Sequence, residues 1–208
     1  MKPNAIFWFR RDLRLEDNHG LFEVLKNYKN VLPIFIFDPE ILEKLPKDDA
    51  RVNFIYNQLK DLNDSLDTNQ KINTYYDRPS QVFNQLISEF PIEAVYTNHD
   101  YEPYAIARDN TVSDILSQKN IAFKSFKDQV IFERNEVTKD DGLPYKVYTP
   151  YSKKWLCTFT EKHIEAYPSE NLLKHLYKMD LNQWVCLLYT SDAADEGLGV
   201  DLGGRRII

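Results

Sequence analysis

The chain has 208 residues, 43% hydrophobic and 28% charged, with a formal net charge of -6. That is enough for one large domain with a real core, and the acidic balance excludes a chain-wide electrostatic pull on nucleic acid. Two cysteines without metal-type spacing fit a reduced, cytoplasmic setting, and no apolar run reads as a signal peptide or a membrane span.

Ala5–Phe9, AIFWF, predicts a buried strand. Asp17 or Asn18 caps a helix over 20–28, with Leu21, Phe22 and Leu25 on one face. Val31–Phe37, VLPIFIF, predicts a second buried strand. Pro33 puts its start near an edge or bulge, and Asp38-Pro39 stops it. Asp48 or Asp49 opens a longer helix to about Leu66, with Val52, Ile55, Leu59 and Leu62 at helical spacing. Then come a strand over 71–76, a helix over 80–90, a strand at Ala94–Asn98, a helix over 104–118 and a strand over 121–126. After Lys127 the alternation ends. A turn at Asp141-Gly142, one further helix over 151–166 and a linker from Pro168 complete the reading.

This alternation predicts an α/β fold: a Rossmann-like five-stranded parallel sheet with helices on both faces. Residues 1–130 form that domain and 131–184 a linker toward a further domain. Residues 185–208 read as a disordered, non-native tail, because Gly197, Gly199, Gly203 and Gly204 crowd it while the chain has only six glycines. Such sheets bind ligands beyond the carboxyl ends of their strands. The residues to weigh are therefore Arg10-Arg11-Asp12, Asp38-Pro39, Tyr76-Asp77-Arg78 and His99-Asp100-Tyr101-Glu102.

Several chemistries are disfavoured by missing motifs. The chain has no G-x-G-x-x-G, no G-x-x-x-x-G-K-[ST] and no G-x-S-x-G, and its four histidines lie at no metal-ligand spacing. What remains is a rim of Arg, Asp and Tyr. Guanidinium groups bond planar edges and stack on flat rings, and tyrosines supply apolar faces. A flat heterocycle suits such a rim better than a bare phosphate. The charges of FWFRRDLRLEDN, residues 7–18, admit two readings on spacing alone: an ion-pair web around a strand end, or the rim of a ligand cleft.

The segment FWFRRDLRLEDNHGL resembles the N-terminal signature of DNA photolyases and cryptochromes. FDPEIL at 37–42, ARVNFIYNQLKDL at 50–62, VYTNHDYEPYAIARD at 95–109 and PYKVYTPYSKKW at 144–155 resemble further motifs of that family, in the same order. The resemblance implies an N-terminal antenna domain, cut before the helical domain that holds FAD. In that family the antenna domain holds a folate, deazaflavin or flavin, which passes light energy to FAD, and FAD donates an electron to a pyrimidine dimer. The full-length protein is then expected to be a deoxyribodipyrimidine photo-lyase, with this fragment alone inactive. A cryptochrome-type photoreceptor fragment and a plain nucleotide-binding α/β module are the alternatives.

The resemblance also implies a site. Folate-binding members carry an Asn-Glu pair where this chain has Tyr104 and Ala105, so a deazaflavin or flavin is favoured over folate, and an empty pocket stays open. Matching positions make Arg10, Arg11, Asp38, Arg51 and Glu102 the polar cofactor-binding residues, with Phe35, Phe37, Val52 and Tyr104 as walls. FWFRRDLRLEDN then divides near Asp12, with Arg10 and Arg11 on the rim and Asp12, Arg14, Glu16 and Asp17 bracing the loop and capping the next helix. No catalytic residue and no metal site are expected in this chain. The expected partners are the small-molecule chromophore and, only through the missing helical domain, damaged DNA. The chain is expected to be a monomer with no membrane contact.

Overall fold

The computed structural model describes residues 2–46 and 49–178. Five parallel strands stand in the order β3-β2-β1-β4-β5, with β1 Ala5–Phe9, β2 Val31–Phe37, β3 Asn73–Tyr76, β4 Ala94–Asn98 and β5 Ala122–Phe126. β1 is central because Ala5 pairs with both Val31 and Ala94. Pro33 lacks an N–H to donate, and it lies where β2 pairs with β1 alone, since pairing with β3 begins at Ile34.

The strands alternate between two cores, as a period of two requires. Phe7, Phe9, Phe35 and Phe37 face helix α1 (His19–Asn27) and helix α3 (Ala50–Ser65), through Leu21, Leu25 and Leu59. Ile6, Trp8, Ile34 and Ile36 face α4 (Pro79–Glu89) and α5 (Pro103–Ser117), through Phe83, Leu86, Val112 and Leu116. All five residues of β1 and all seven of β2 are buried, which explains why both read as unbroken apolar runs.

Helix starts follow their caps. Asn18 caps α1 by accepting from Leu21 N at 3.1 Å, and Asp49 caps α3 by accepting from Arg51 N at 2.9 Å. Gly20 lets α1 approach β4. A Cβ there would lie 2.6 Å from Asn98 Oδ1 and 3.0 Å from the Phe7 ring.

Three stretches differ from the sequence reading. A short helix α2, Pro39–Leu42, follows β2 with Asp38 as its cap. The late helix α6 is Tyr148–Thr158, and a 3-10 turn at Glu161–Ile164 follows it. The stretch read as a linker from Pro168 instead packs back on the sheet domain. Ser169–His175 is a 3-10 segment, Ser169 and Leu176 are buried, and Tyr177 N donates to Val31 O at 2.7 Å. The Tyr167 ring stacks on His19 at 3.7 Å between centroids. Isolated leucines in a polar stretch, Leu172, Leu173 and Leu176, provide the docking, and their spacing matches no regular element. The tail reading from Val185 lies outside the described residues.

Two substitutions test this packing. Gly20→Ala should cost about 2 kcal/mol of stability by forcing α1 off Asn98. Leu176→Ala should cost about 3 kcal/mol, because it empties a core position. Urea midpoints would measure both, and an unchanged midpoint for Leu176→Ala would show that the 169–176 segment is not part of the fold.

Candidate functional site

The crevice between β1 and β4 is where the strand order reverses, the usual ligand position in such a sheet. Here side chains fill it. Asp12 is buried, and its carboxylate accepts from Arg10 N at 2.8 Å, from Asn98 Nδ2 at 2.6 Å and from Asn18 Nδ2 at 3.4 Å. Asn98 Oδ1 accepts from Gly20 N, and Asn18 Oδ1 accepts from Leu21 N and Asn98 Nδ2. Ser169 joins from the far end of the chain, its Oγ donating to Leu15 O and accepting from Asn18 N. Burial raises the Asp12 carboxyl above the ordinary carboxylate range, outweighing the donors that pull it down.

Arg10 is also committed to structure. Its Nε donates to Thr97 Oγ1, Nη1 to the Asp109 carboxylate and Nη2 to Asn98 O, each at 2.8 Å. Its guanidinium lies 4.8 Å from the centre of the Trp8 ring, as does that of Arg108. Trp8 belongs to the α4–α5 core, so Arg10 sits across the sheet from Phe35 and Phe37.

The open part of the rim lies at the β1–β2 corner. Asp38 ends β2, and its Oδ2 accepts from the Tyr104 hydroxyl at 2.5 Å, which ties the start of α5 to the start of α2. Burial first, and then Asp38, raise the Tyr104 hydroxyl pKa, so it stays a donor. Lys44 Nζ lies 5.9 Å from the centre of the Tyr104 ring. Arg11 is exposed and pairs with Glu102, with Asp100 3.9 Å from its Nε. Phe35 and Phe37 pack edge to face at 4.9 Å and are buried in the α1–α3 core. Phe35, Phe37 and Asp38 are buried, so the accessible groups here are the half-buried Tyr104 ring and the Arg11 guanidinium, one flat face and one planar donor. No group of three or more His, Cys, Asp or Glu side chains among the described residues could hold a metal.

A cavity of about 270 Å³ opens elsewhere on the rim, lined by Tyr101, Val130, Phe132, Glu133, Arg134, Val137 and Tyr151. It shares no lining residue with the β1–β2 corner.

Residues 5–169 match the family model described as DNA photolyase. The chain belongs to the DNA photolyase family. It is 32% identical over 156 residues to a deoxyribodipyrimidine photo-lyase from Synechococcus, covering 74% of this chain and 32% of that protein. It is 29% identical over 156 residues to cryptochrome-1 of Arabidopsis thaliana, covering 73% of this chain and 22% of that protein. Among solved structures, it is similar to an archaeal photolyase from Sulfolobus tokodaii with two FAD molecules. There the TM-score is 0.61 at 31% identity, over 73% of this chain and 34% of that one. A class III photolyase from Agrobacterium tumefaciens gives a TM-score of 0.70 at 25% identity, over 87% of this chain and 36% of that one. The chain thus spans about a third of the length of its photolyase relatives.

Of the residues that the photolyase motifs point to, the fold brings Asp38 and Tyr104 together, Arg11 and Glu102 together, and Phe35 and Phe37 together. No described bond joins Arg51 to them. Arg51 is exposed and fixed to Asp49, whose carboxyl it holds down to about 2. Val52, the next residue on α3, is half-buried. The roles of Asn98 and Ser169 escape sequence reasoning, because neither lies near Asp12 in the chain. The single available signal is Asn98, a polar residue closing an apolar strand.

Asp12→Asn should cost about 2 kcal/mol, because an amide there must turn its NH₂ toward one of the donors that now meet the carboxylate. The pH dependence has a definite sign. A carboxyl raised by folding keeps its proton after the unfolded chain, at about 3.9, has lost it. Stability then falls as pH climbs through the folded value, so the wild-type lead over Asp12→Asn narrows across that window. Urea midpoints measured over a pH series would check it, and a lead that widens with pH would refute it.

Proposed function

We propose that this chain is the light-harvesting, chromophore-binding part of a photolyase, and that its chromophore is a flavin or deazaflavin bound at the β1–β2 corner. The observation that carries the reading is the Asp38–Tyr104 junction at the end of β2, with the Arg11–Glu102 pair at the same strand edge. The Tyr104 face there would take the tricyclic ring, and Asp38 and Arg11 its polar edge. Val52 would flank the ring from α3. Arg10 becomes a brace that sets the rim, and Arg51 an outer charge.

The Sulfolobus relative supports a flavin, since its two FAD molecules are described as implying a novel light-harvesting cofactor in that protein. When bound, such a group would absorb blue light. This chain's residues would hold and orient it and keep water from its ring. Repair of pyrimidine dimers would belong to the full-length protein, whose FAD and damaged DNA bind a helical domain beyond this part. A monomer in the cytoplasm fits that role. Among the described residues no helix is long and apolar enough to cross a membrane.

The test is a fluorescence titration of the purified chain with riboflavin, FMN and FAD. At least one should bind saturably. Tyr104→Ala and Arg11→Gln should each weaken it about tenfold, through a lost ring face and a lost charged hydrogen bond. Failure of all three to bind overturns the flavin reading, and failure of 8-hydroxy-5-deazariboflavin as well overturns the chromophore reading. The chain by itself should also leave thymine dimers unrepaired under blue light, and repair without an added helical domain would contradict that.

A further inference from the structure

A cavity opens at the β5 end of the rim and shares no lining residue with the β1–β2 corner. Three rings line it: Tyr101 from the β4–α5 loop, Phe132 from the segment after β5, and Tyr151 from α6. Its walls are fixed. Phe132 packs edge to face on Trp155 at 5.3 Å, and Val137 is buried. Lys127 pairs with Glu136 at 2.7 Å, which pins the segment between them.

Glu133 is held in one orientation. Its Oε1 meets His99 Nδ1 at 2.6 Å and accepts from the Tyr101 hydroxyl at 2.8 Å. Burial, and then Glu133 itself, raise the Tyr101 hydroxyl pKa, so that donor is permanent. Among the described residues no hydrogen bond reaches Glu133 Oε2. Arg134 is positioned from the same side, its Nη2 donating to Tyr101 O at 2.9 Å, while Nε and Nη1 have no described acceptor. One charged acceptor and one charged donor thus converge on a space walled by flat rings.

We propose that this cavity binds a single bicyclic aminoheterocycle of purine type. An N–H edge would donate to Glu133 Oε2, a ring nitrogen or carbonyl would accept from Arg134, and the ring would lie against Tyr101 and Tyr151. Size sets the class. About 270 Å³ falls just below the range of roughly 300–1,000 Å³ typical of drug-sized ligands. One base fits that limit, and a flavin with its tail or a dinucleotide does not. A carboxylate and an arginine in the same lining also disfavour a bare anion and a bare cation alike.

The test uses 2-aminopurine as the probe, titrated calorimetrically into the full chain. Saturable binding is expected, with purine, which lacks the exocyclic amine, binding about tenfold more weakly. Glu133→Gln should weaken 2-aminopurine about tenfold, and Tyr151→Ala by a similar factor through lost stacking. If Glu133→Gln does not fold, Arg134→Gln, at an exposed position, reads the same edge. Absence of binding at the solubility limit overturns the proposal, as does equal affinity in the wild type, Glu133→Gln and Tyr151→Ala. Riboflavin bound at the β1–β2 corner should not displace the probe. Displacement would merge the two sites and refute the separate one, whereas probe binding while every flavin and deazaflavin fails to bind would remove the chromophore reading alone.

Discussion

One buried carboxylate organises the carboxyl edge of this sheet. Asp12 is out of water and, among the described residues, has no cation in direct contact, so donors must satisfy it from every side. They come from the end of β1, from the cap of α1 and from the end of β4. Each donor is a group that the fold needs in place for another reason. Asn18 caps α1, Asn98 receives the Gly20 amide, and Arg10 leads out of β1. The bonds are cooperative because the amide orientations are set by backbone N–H groups on their far sides. A change at one member leaves donors facing donors at the next.

That network has a functional consequence. It occupies the crevice at which a parallel sheet of this order usually receives a nucleotide, and the proposed chromophore position at the β1–β2 corner lies to one side of it. There the polar groups are paired with each other, Tyr104 with Asp38 and Arg11 with Glu102. An arriving chromophore would trade those bonds for its own. The Arg11–Glu102 pair is exposed and inexpensive to break, whereas Asp38 is buried and its bond to Tyr104 is the costlier one to give up. The same logic separates two adjacent arginines. Arg10 faces the α4–α5 core and is buried by its partners, while Arg11 is exposed and available.

Much of this was legible in the chain. β1, β2 and β4 announce themselves as apolar runs because both faces of a central parallel strand are covered. The cap at Asn18, the cap at Asp49 and the stop at Asp38-Pro39 are local devices, decided by one side chain and the backbone beside it. The photolyase motifs were legible too, since they lie in the loops that follow those strands. The return of 169–176 was not. Ser169 and Leu176 carry no periodic pattern, and their partners Leu15, Asn18 and Val31 are some 150 residues away. The cavity around Glu133 was hidden for the same reason, because its walls come from three separate stretches.

By itself, the sequence determined the order and type of the strands and helices, the family motifs and the chemical character of the rim. Period, propensity and caps act over a few residues, so the chain displays them directly. The tertiary structure alone decided which charges are internal and which remain open. It placed Arg10 across the sheet from Phe35 and Phe37 and joined Tyr104 to Asp38. It also closed the central crevice with Asp12, Asn18 and Asn98. Those outcomes depend on which strand lies beside which and on which face each residue takes, and distance along a chain carries neither.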